Sequence, residues 1–188
     1  FEKYGFKIFI GDQSKESFWK TFFQKVRKVD LVLDDGGHTN YQQIITTNCC
    51  VPNIKDNGML VVEDVHTSFI KNKWYNPSKY SYINYCKKLI EDINSRYPGL
   101  KKYNYSLSKY IYSIHNFESI VSYKINRKLC KTNIEIRNAK KSTDPKEFRS
   151  QLDKNSLLYK IKNLLNTKSN FTYLAFIINS IKSKKFFK

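Results

Sequence analysis

The chain has 188 residues, of which 40% are hydrophobic, and its 34 Lys+Arg against 16 Asp+Glu give a formal net charge of +18. This length suffices for one sizeable hydrophobic core and hardly for two. Cys49, Cys50, Cys86 and Cys130 show no CxxC spacing, so we expect reduced thiols in a cytoplasmic protein rather than a disulfide framework. No stretch reaches roughly 18 consecutive apolar residues, which argues against a membrane span.

The positive charge is concentrated in the C-terminal third. Residues 1–123 carry a net +5, whereas residues 124–188 carry +13. Such a segment could contact nucleic acid, an anionic membrane surface or an acidic partner. The lysines alternate with Asn and Ser and form no long block, which favours solvated side chains. We therefore expect no nucleic-acid partner. Contact of the basic segment with a membrane surface stays an alternative. The sequence does not indicate an oligomeric state.

The first third of the chain alternates strand and helix patterns. In chain order, we predict a strand at 6–10, a helix at 15–28, a strand at 29–33, a helix at 39–50, a turn at 51–57 and a strand at 58–62. Ser14 or Asp12 can cap the first helix, and Thr39 or Asn40 the second. This alternation implies parallel strands joined by right-handed crossovers, and hence an α/β fold.

The pattern changes after residue 64. We predict a loop at 65–77, a helix at 78–97, and two strands at 110–115 and 119–123. Closely joined strands are antiparallel, so these two would form a hairpin on the far edge of the sheet. The remainder is basic and weakly organised, with short helical stretches near 142–145, 157–165 and 171–181. We therefore predict a domain at 1–124 and a basic, partly helical extension at 125–188.

Carboxylates follow two of the predicted strands. Asp34 and Asp35 directly follow the predicted strand at 29–33, and Glu63 and Asp64 directly follow the predicted strand at 58–62. Ligands of parallel sheets lie at the carboxyl ends of the strands, where gathered carboxylates would repel one another without a cation. Magnesium, a hard cation with oxygen ligands, would fit. The alternative is that these acids are helix caps or ion-pair partners of nearby lysines.

A histidine lies beside the first acidic pair. Gly36 and Gly37 allow a sharp backbone turn between Asp35 and His38. A neutral His38 could then take a proton from a hydroxyl whose pKa a metal lowers.

The motifs at 11–14 (GDQS), 34–38 (DDGGH) and 58–68 (GMLVVEDVHTS) resemble those of class I S-adenosylmethionine-dependent methyltransferases. The resemblance is closest to metal-dependent sugar O-methyltransferases that act on macrolide antibiotics, where they run approximately as IDDGSH and EDLHTSY. It covers residues 6–124, with 113–121 similar to the group's closing hairpin. It implies the C-terminal portion of a Rossmann-like methyltransferase fold, with a mostly parallel sheet and an antiparallel closing hairpin.

The resemblance also implies roles for individual residues. It implies metal ligation by Asp35, Glu63 and Asp64, with His38 as general base. It implies cofactor contacts on the adenine side by Asp12, Gln13 and Asp34. Two residues of the following loop, His66 and Thr67, are weaker candidates for substrate contact.

The expected function is S-adenosylmethionine-dependent, Mg²⁺-assisted methylation of a hydroxyl on a sugar or another small molecule. The glycine-rich loop and the ribose-binding acid of the family are expected upstream of Phe1, so we expect the chain as it stands to bind cofactor poorly. Phe69-Ile70 replaces the family's Tyr-Trp character, which affects the acceptor pocket. The alternatives are a hydroxylase-like enzyme of the same fold and a non-catalytic protein that binds anionic partners through its basic tail.

Overall fold

A computed structural model describes residues 2–75, 77–97 and 107–131, together with residues 180, 183 and 184. The chain divides into two compact units, Phe1–Ile136 and Arg137–Lys188. The first unit carries the sheet and the candidate site. The helical stretches predicted at 142–145 and 157–165, and nearly all of 171–181, lie outside the described residues.

Four strands form one mixed sheet. They are β1 (Val29–Asp34), β2 (Ile54–Val62), β3 (Ile111–Phe117) and β4 (Ile120–Ile125), and their order across the sheet is β1-β2-β4-β3. β1 and β2 are parallel, whereas β2–β4 and β3–β4 are antiparallel. The α/β class and the closing hairpin at the far edge are thereby confirmed. Within the described residues, one strand pair is parallel and two are antiparallel.

Three helices accompany the sheet: α1 (Glu16–Val26), α2 (Asn40–Cys50) and α3 (Tyr82–Asn94). The predicted cap Thr39 forms a full capping box with Gln42 at the start of α2. The predicted cap of α1 is wrong, because Lys15 occupies the N-cap position without a side-chain hydrogen bond, and Ser14 instead donates hydrogen bonds to Asp12. Short 3-10 turns are Glu2–Tyr4, Val51–Asn53 and Val65–Phe69. None of the helices described has the length and apolar character needed to cross a bilayer.

The predicted strand at residues 6–10 does not form. This segment has no strand hydrogen bonding, and its Ile10 side chain is 95% exposed. Phe9 instead packs edge-on against Phe22 of α1, with ring centroids 4.9 Å apart. Alternating apolar residues favour an extended backbone, but a strand also needs a hydrogen-bonded neighbour, and the ladders of the described sheet leave this segment out.

β2 begins at Ile54, inside the segment predicted as a turn. Its register against β1 shifts between the pairs Val29–Ile54 and Leu31–Met59, so the early part of the strand is irregular. Arg127 stabilises this irregular part, since it donates to the Asp56 carboxylate at 2.7 Å and to the Ile54 carbonyl at 2.8 Å. This contact joins residues more than 70 positions apart, which explains why local pattern did not predict it.

One face of the sheet packs into the hydrophobic core. Leu60, Val62, Val121 and Tyr123 point into it and are at most 1% exposed. They pack with side chains of α2 and α3: Cys50, Tyr82, Cys86 and Leu89. Because successive side chains alternate across a strand, the other face of β1 presents Leu31 and Leu33, which are 60% and 58% exposed.

Candidate metal and catalytic site

The ends of β1 and β2 lie next to each other. The Glu63 amide donates to the Asp34 carbonyl at 3.0 Å, which continues the ladder beyond the last residue of β2. The residues that follow, Asp35 and Asp64, therefore lie at the same edge of the sheet. The strand-end clusters predicted from sequence thus come together through an ordinary parallel register.

Asp35, His38 and Asp64 form a compact group. The His38 Nε2 atom lies 3.6 Å from Asp35 Oδ1 and 3.6 Å from Asp64 Oδ2. One potential ligand atom from each residue lies within 4.8 Å of the others. The His38 side chain is 19% exposed, whereas those of Asp35 and Asp64 are 65% and 44% exposed. The imidazole is thus set deeper than the two carboxylates, which remain open to solvent.

Two of these three residues have unusual backbone conformations. His38 has φ of 34° and Asp64 has φ of 54°, in the left-handed region that non-glycine residues seldom adopt. Such conformations cost free energy and concentrate at functional sites. We expected Gly36 and Gly37 to supply the unusual turn, but the positive φ is at His38 itself.

The two glycines are needed for space. A Cβ on Gly36 would overlap Gln13 Oε1, and one on Gly37 would overlap the amide of Gln42. Both glutamine side chains are held by hydrogen bonds, so neither is free to move aside at no cost. The glycine pair therefore reflects the close approach of two side chains to the backbone.

Thr67 ties the two strand-end loops together. Its hydroxyl faces both the His38 carbonyl, at 2.9 Å, and the Asp64 carbonyl, at 2.8 Å, and the residue is only 4% exposed. Substrate contact by Thr67 remains a prediction. The contacts themselves show a role in holding the backbones of His38 and Asp64.

His66 lies on the outer side of the same group. Its Nδ1 atom is 2.6 Å from Ser119 Oγ and 3.8 Å from Asp64 Oδ1, and its side chain is 54% exposed. Ser119, in the β3–β4 turn with φ of 61°, was missed at the sequence level, where it counted as the first residue of a strand. The signal that could have identified Ser119 is its place in a tight hairpin turn. Substrate contact by His66 stays a prediction.

Glu63 is placed differently from its neighbour. Its carboxylate is not part of the group formed by Asp35, His38 and Asp64 among the described residues. Its backbone carbonyl accepts a hydrogen bond from Gln43 Nε2 at 2.9 Å. Gln43 is 1% exposed on α2 and was also missed, although a glutamine among the inward-facing positions of an amphipathic helix is a usable signal. Metal ligation by Glu63 stays a prediction.

The three candidate cofactor residues lie near this edge. Asp12 is exposed and accepts hydrogen bonds from the amide and hydroxyl of Ser14, which lower its pKa. Asp34 is 8% exposed, and burial raises its pKa, although the hydrogen bond from Gln13 opposes this effect. Gln13 Nε2 donates to Asp34 Oδ1 at 2.7 Å. Their contact with a cofactor remains a prediction.

A cleft of 640 Å³ lies against Gly37 and Thr39, the residues on either side of His38 in the sequence. Its lining residues are Asp12, Ser14, Gly37, Thr39, Tyr41, Gln42, Trp74 and Tyr75. The amides of Trp74 and Tyr75 both donate to the Asn72 side chain at 2.8 Å, which fixes the loop that presents the two rings. The cleft therefore combines aromatic surfaces with a carboxylate that is readily ionised.

No family model matches this sequence. One curated protein, 8-demethyl-8-alpha-L-rhamnosyl tetracenomycin-C 2'-O-methyltransferase of Streptomyces olivaceus, is 24% identical over 97 residues, which are 48% of this chain and 25% of that protein. The chain thus spans about a quarter of the length of this relative.

Solved structures of the MycE methyltransferase from the mycinamycin biosynthetic pathway are also similar. A complex with Mg and SAH aligns with a TM-score of 0.59 and 18% identity, over 76% of this chain and 36% of that one. A complex with Mg, SAH and mycinamycin VI aligns with a TM-score of 0.55 and 20% identity, over 63% and 31%. These likenesses show that this chain shares the fold of the matched part of that protein.

Proposed function

We propose that this chain carries the metal-binding and proton-accepting part of an S-adenosylmethionine-dependent O-methyltransferase. The observation that supports it best is the group of Asp35, His38 and Asp64 at the carboxyl ends of two parallel strands, where α/β sheets bind ligands. The solved neighbours contain Mg and SAH, and the curated relative is a 2'-O-methyltransferase named for a rhamnosyl compound. Neither the hydroxylase-like nor the non-catalytic alternative is favoured by these comparisons.

The donor atoms suit magnesium. Asp35 and Asp64 offer hard carboxylate oxygens, and both side chains are open enough for water to complete an octahedral shell. His38 lies 3.6 Å from each carboxylate, so its ring nitrogen can face a group bound at the two acids. We assign the ion to Asp35 and Asp64, with Glu63 as a further proposed ligand, and we assign proton transfer to His38.

The chemistry follows from this arrangement. When bound, the divalent ion would orient an acceptor hydroxyl and lower its pKa, and S-adenosylmethionine would supply the methyl group. His38 Nε2 would accept the hydroxyl proton as the oxygen becomes nucleophilic. Thr67 would keep the His38 and Asp64 backbones in place, because its hydroxyl bridges their carbonyl groups.

The cleft that Gly37 and Thr39 help to line fits a sugar acceptor. Trp74 is exposed, and Lys73 Nζ lies over its ring, 4.9 Å from the centroid. The opposite face of the ring can pack against one face of a pyranose, and the Asp12 carboxylate can accept hydrogen bonds from sugar hydroxyls. Gly37 and Thr39, the neighbours of His38, form part of the wall. We therefore propose a glycoside or a similar polyhydroxylated small molecule as the acceptor.

The test is transfer of a labelled methyl group from S-adenosylmethionine to a rhamnoside by the complete protein. We expect transfer to require Mg²⁺ and to stop with EDTA. His38→Ala should abolish turnover and leave cofactor affinity nearly unchanged, whereas His115→Ala, a histidine in the β3 strand, should retain activity. Equal turnover in His38→Ala and the unaltered protein would exclude His38 as the base. Undiminished transfer in EDTA would exclude the metal.

A further inference from the structure

The amide of Gln13 is fully occupied within the protein. Its Nε2 atom donates one hydrogen to Asp34 Oδ1 at 2.7 Å and the other to Thr46 Oγ1 at 2.8 Å. Its Oε1 atom accepts from the Gly37 amide at 2.9 Å. A primary amide has two N–H donors, and both have partners here. The side chain therefore has no donor left for a cofactor unless one of these bonds breaks.

The three partners lie on different parts of the fold. Asp34 is the last residue of β1, Thr46 is a fully buried residue of α2, and Gly37 belongs to the turn that precedes His38. Gln13 itself lies in the segment before α1, where its carbonyl accepts from the Trp19 indole at 2.9 Å. One side chain thus links this segment to a strand end, a helix and the turn that carries the proposed base.

The contact constrains the backbone of the turn. The Gly37 amide belongs to the residue immediately before His38, whose φ of 34° is unfavourable and must be held by its surroundings. Gln13 Oε1 also lies so close to Gly36 that no Cβ would fit there. On the other side of the turn, Thr67 holds the His38 carbonyl. The turn is therefore fixed between two hydrogen-bonding side chains.

We propose that Gln13 is a positioning residue, which fixes the Gly36–His38 turn and so sets Asp35 and His38 for their roles. The assignment of those roles rests on the proposed function. Gln13 acts through the turn and through Asp34, and it does not act by binding the adenine side of a cofactor. Residues that orient metal ligands from outside typically change metal affinity by 10- to 100-fold when they are altered.

The experiment uses the full chain with three variants and a control. Gln13→Met keeps the side-chain length but removes the amide, and Gln13→Glu places a carboxylate against Asp34. The double variant combines Gln13→Glu with Asp34→Asn, so that the amide at position 34 donates to the carboxylate at position 13. The same carboxylate retains an oxygen that can accept from the Gly37 amide. Ser14→Ala is the control. Ser14 follows Gln13 in the sequence, and the hydrogen bond described for its hydroxyl goes to Asp12 and not to the turn. Amide exchange by NMR reports on Gly37, with Leu60 as an internal reference, and Mn²⁺ affinity is measured by EPR.

Gln13→Met removes the acceptor of the Gly37 amide, and in Gln13→Glu repulsion from the Asp34 carboxylate displaces that acceptor. We expect both variants to speed exchange of the Gly37 amide by about five- to tenfold while Leu60 is unchanged, as for the loss of one hydrogen bond. Both should weaken Mn²⁺ binding by about tenfold. The double variant should restore both values, and Ser14→Ala should change neither. A cofactor contact would not produce this rescue, and a side chain that only stabilises the whole fold would change Leu60 exchange together with that of Gly37. If Gln13→Met does not fold, the comparison of the double variant with Gln13→Glu tests the proposal instead.

Two results would overturn the proposal: unchanged Gly37 exchange in Gln13→Met, or a double variant that folds without restoring slow exchange. Absence of Mn²⁺ binding in the unaltered chain would count against the metal in the proposed function. Gly37 exchange would still decide the role of Gln13.

Discussion

At the scale of single residues, the site depends on backbone positions that are held by buried hydroxyl and amide groups. His38 and Asp64 both have positive φ, and the Thr67 hydroxyl lies within hydrogen-bond distance of the carbonyl of each. Because Thr67 is 4% exposed, water cannot readily replace its hydroxyl. A buried carbonyl left without a donor costs about 1–3 kcal/mol, so Thr67 affects both stability and the geometry of the site.

This leads to a prediction for Thr67. Thr67→Val keeps the shape of the side chain but removes the hydroxyl, and we expect the free energy of unfolding to fall by about 1–3 kcal/mol. Mn²⁺ affinity should fall as well, because the Asp64 and His38 backbones lose the hydroxyl that holds them together. Thr67→Ser retains the hydroxyl and should keep the metal affinity. Urea unfolding and EPR titration measure the two effects, and equal metal affinity in the Val and Ser variants would contradict the anchoring role.

At the scale of elements, a buried chain of hydrogen bonds joins α2 and α3 to β4. Thr47 Oγ1 lies 2.9 Å from the Tyr82 hydroxyl, which lies 2.9 Å from the Tyr123 hydroxyl, which in turn lies 3.0 Å from Cys86 Sγ. Both tyrosines are fully buried. Burial raises the pKa of the Cys86 thiol from 9.0 to about 11 and raises the pKa of both tyrosines well above 10. The two tyrosines and Cys86 are therefore held in their neutral forms.

The protonated thiol predicts loss of stability in alkali. Because the pKa of Cys86 is higher in the folded state, its contribution is complete below pH 9 and is lost as pH rises through about 11. Over that window each such group lowers the free energy of unfolding by up to about 1.4 kcal/mol per pH unit. Cys86→Ser does not titrate there and should show a shallower decline between pH 9 and 10.5. Urea unfolding across this range measures it, and parallel declines would exclude a contribution from Cys86.

At the scale of the whole described fold, the sheet is covered unequally. The face that bears Leu60 and Tyr123 is buried under α2 and α3, whereas Leu31 and Leu33 on the other face of β1 are more than half exposed. β1 is also an edge strand of the described sheet. Exposed apolar edge strands promote association between chains. The net charge of +18 opposes that association at low ionic strength.

We therefore predict salt-dependent self-association. Raising the salt concentration screens the repulsion between chains, so the average mass should increase with salt. Leu31→Lys with Leu33→Lys should suppress that increase. Leu129→Lys is the control, because Leu129 is also exposed, at 53%, but lies outside β1. This variant should not suppress the increase in mass. Static light scattering measures the mass, and equal association in all three proteins would show that this face is not responsible.

The sequence was sufficient for features that depend on neighbours along the chain. Apolar periodicity predicted α1, α2, β1 and the hairpin, and the Thr39 cap follows from a side chain that bonds three residues onward. The position of carboxylates after two strands predicted that Asp35 and Asp64 would meet, because parallel strands end at a common edge. Periodicity failed for residues 6–10, since an apolar alternation does not supply a hydrogen-bonded neighbour.

Other features were decided by tertiary structure alone. Gln13 meets Asp34 across 21 positions, Thr67 meets His38 across 29, and His66 meets Ser119 across 53. The sequence shows that these side chains are polar, but their partners depend on how strand ends, helices and turns pack. The same packing puts the positive φ at His38 rather than at the glycines before it. Local chemistry thus determined which residues could form a site, and packing determined which of them hold it in place.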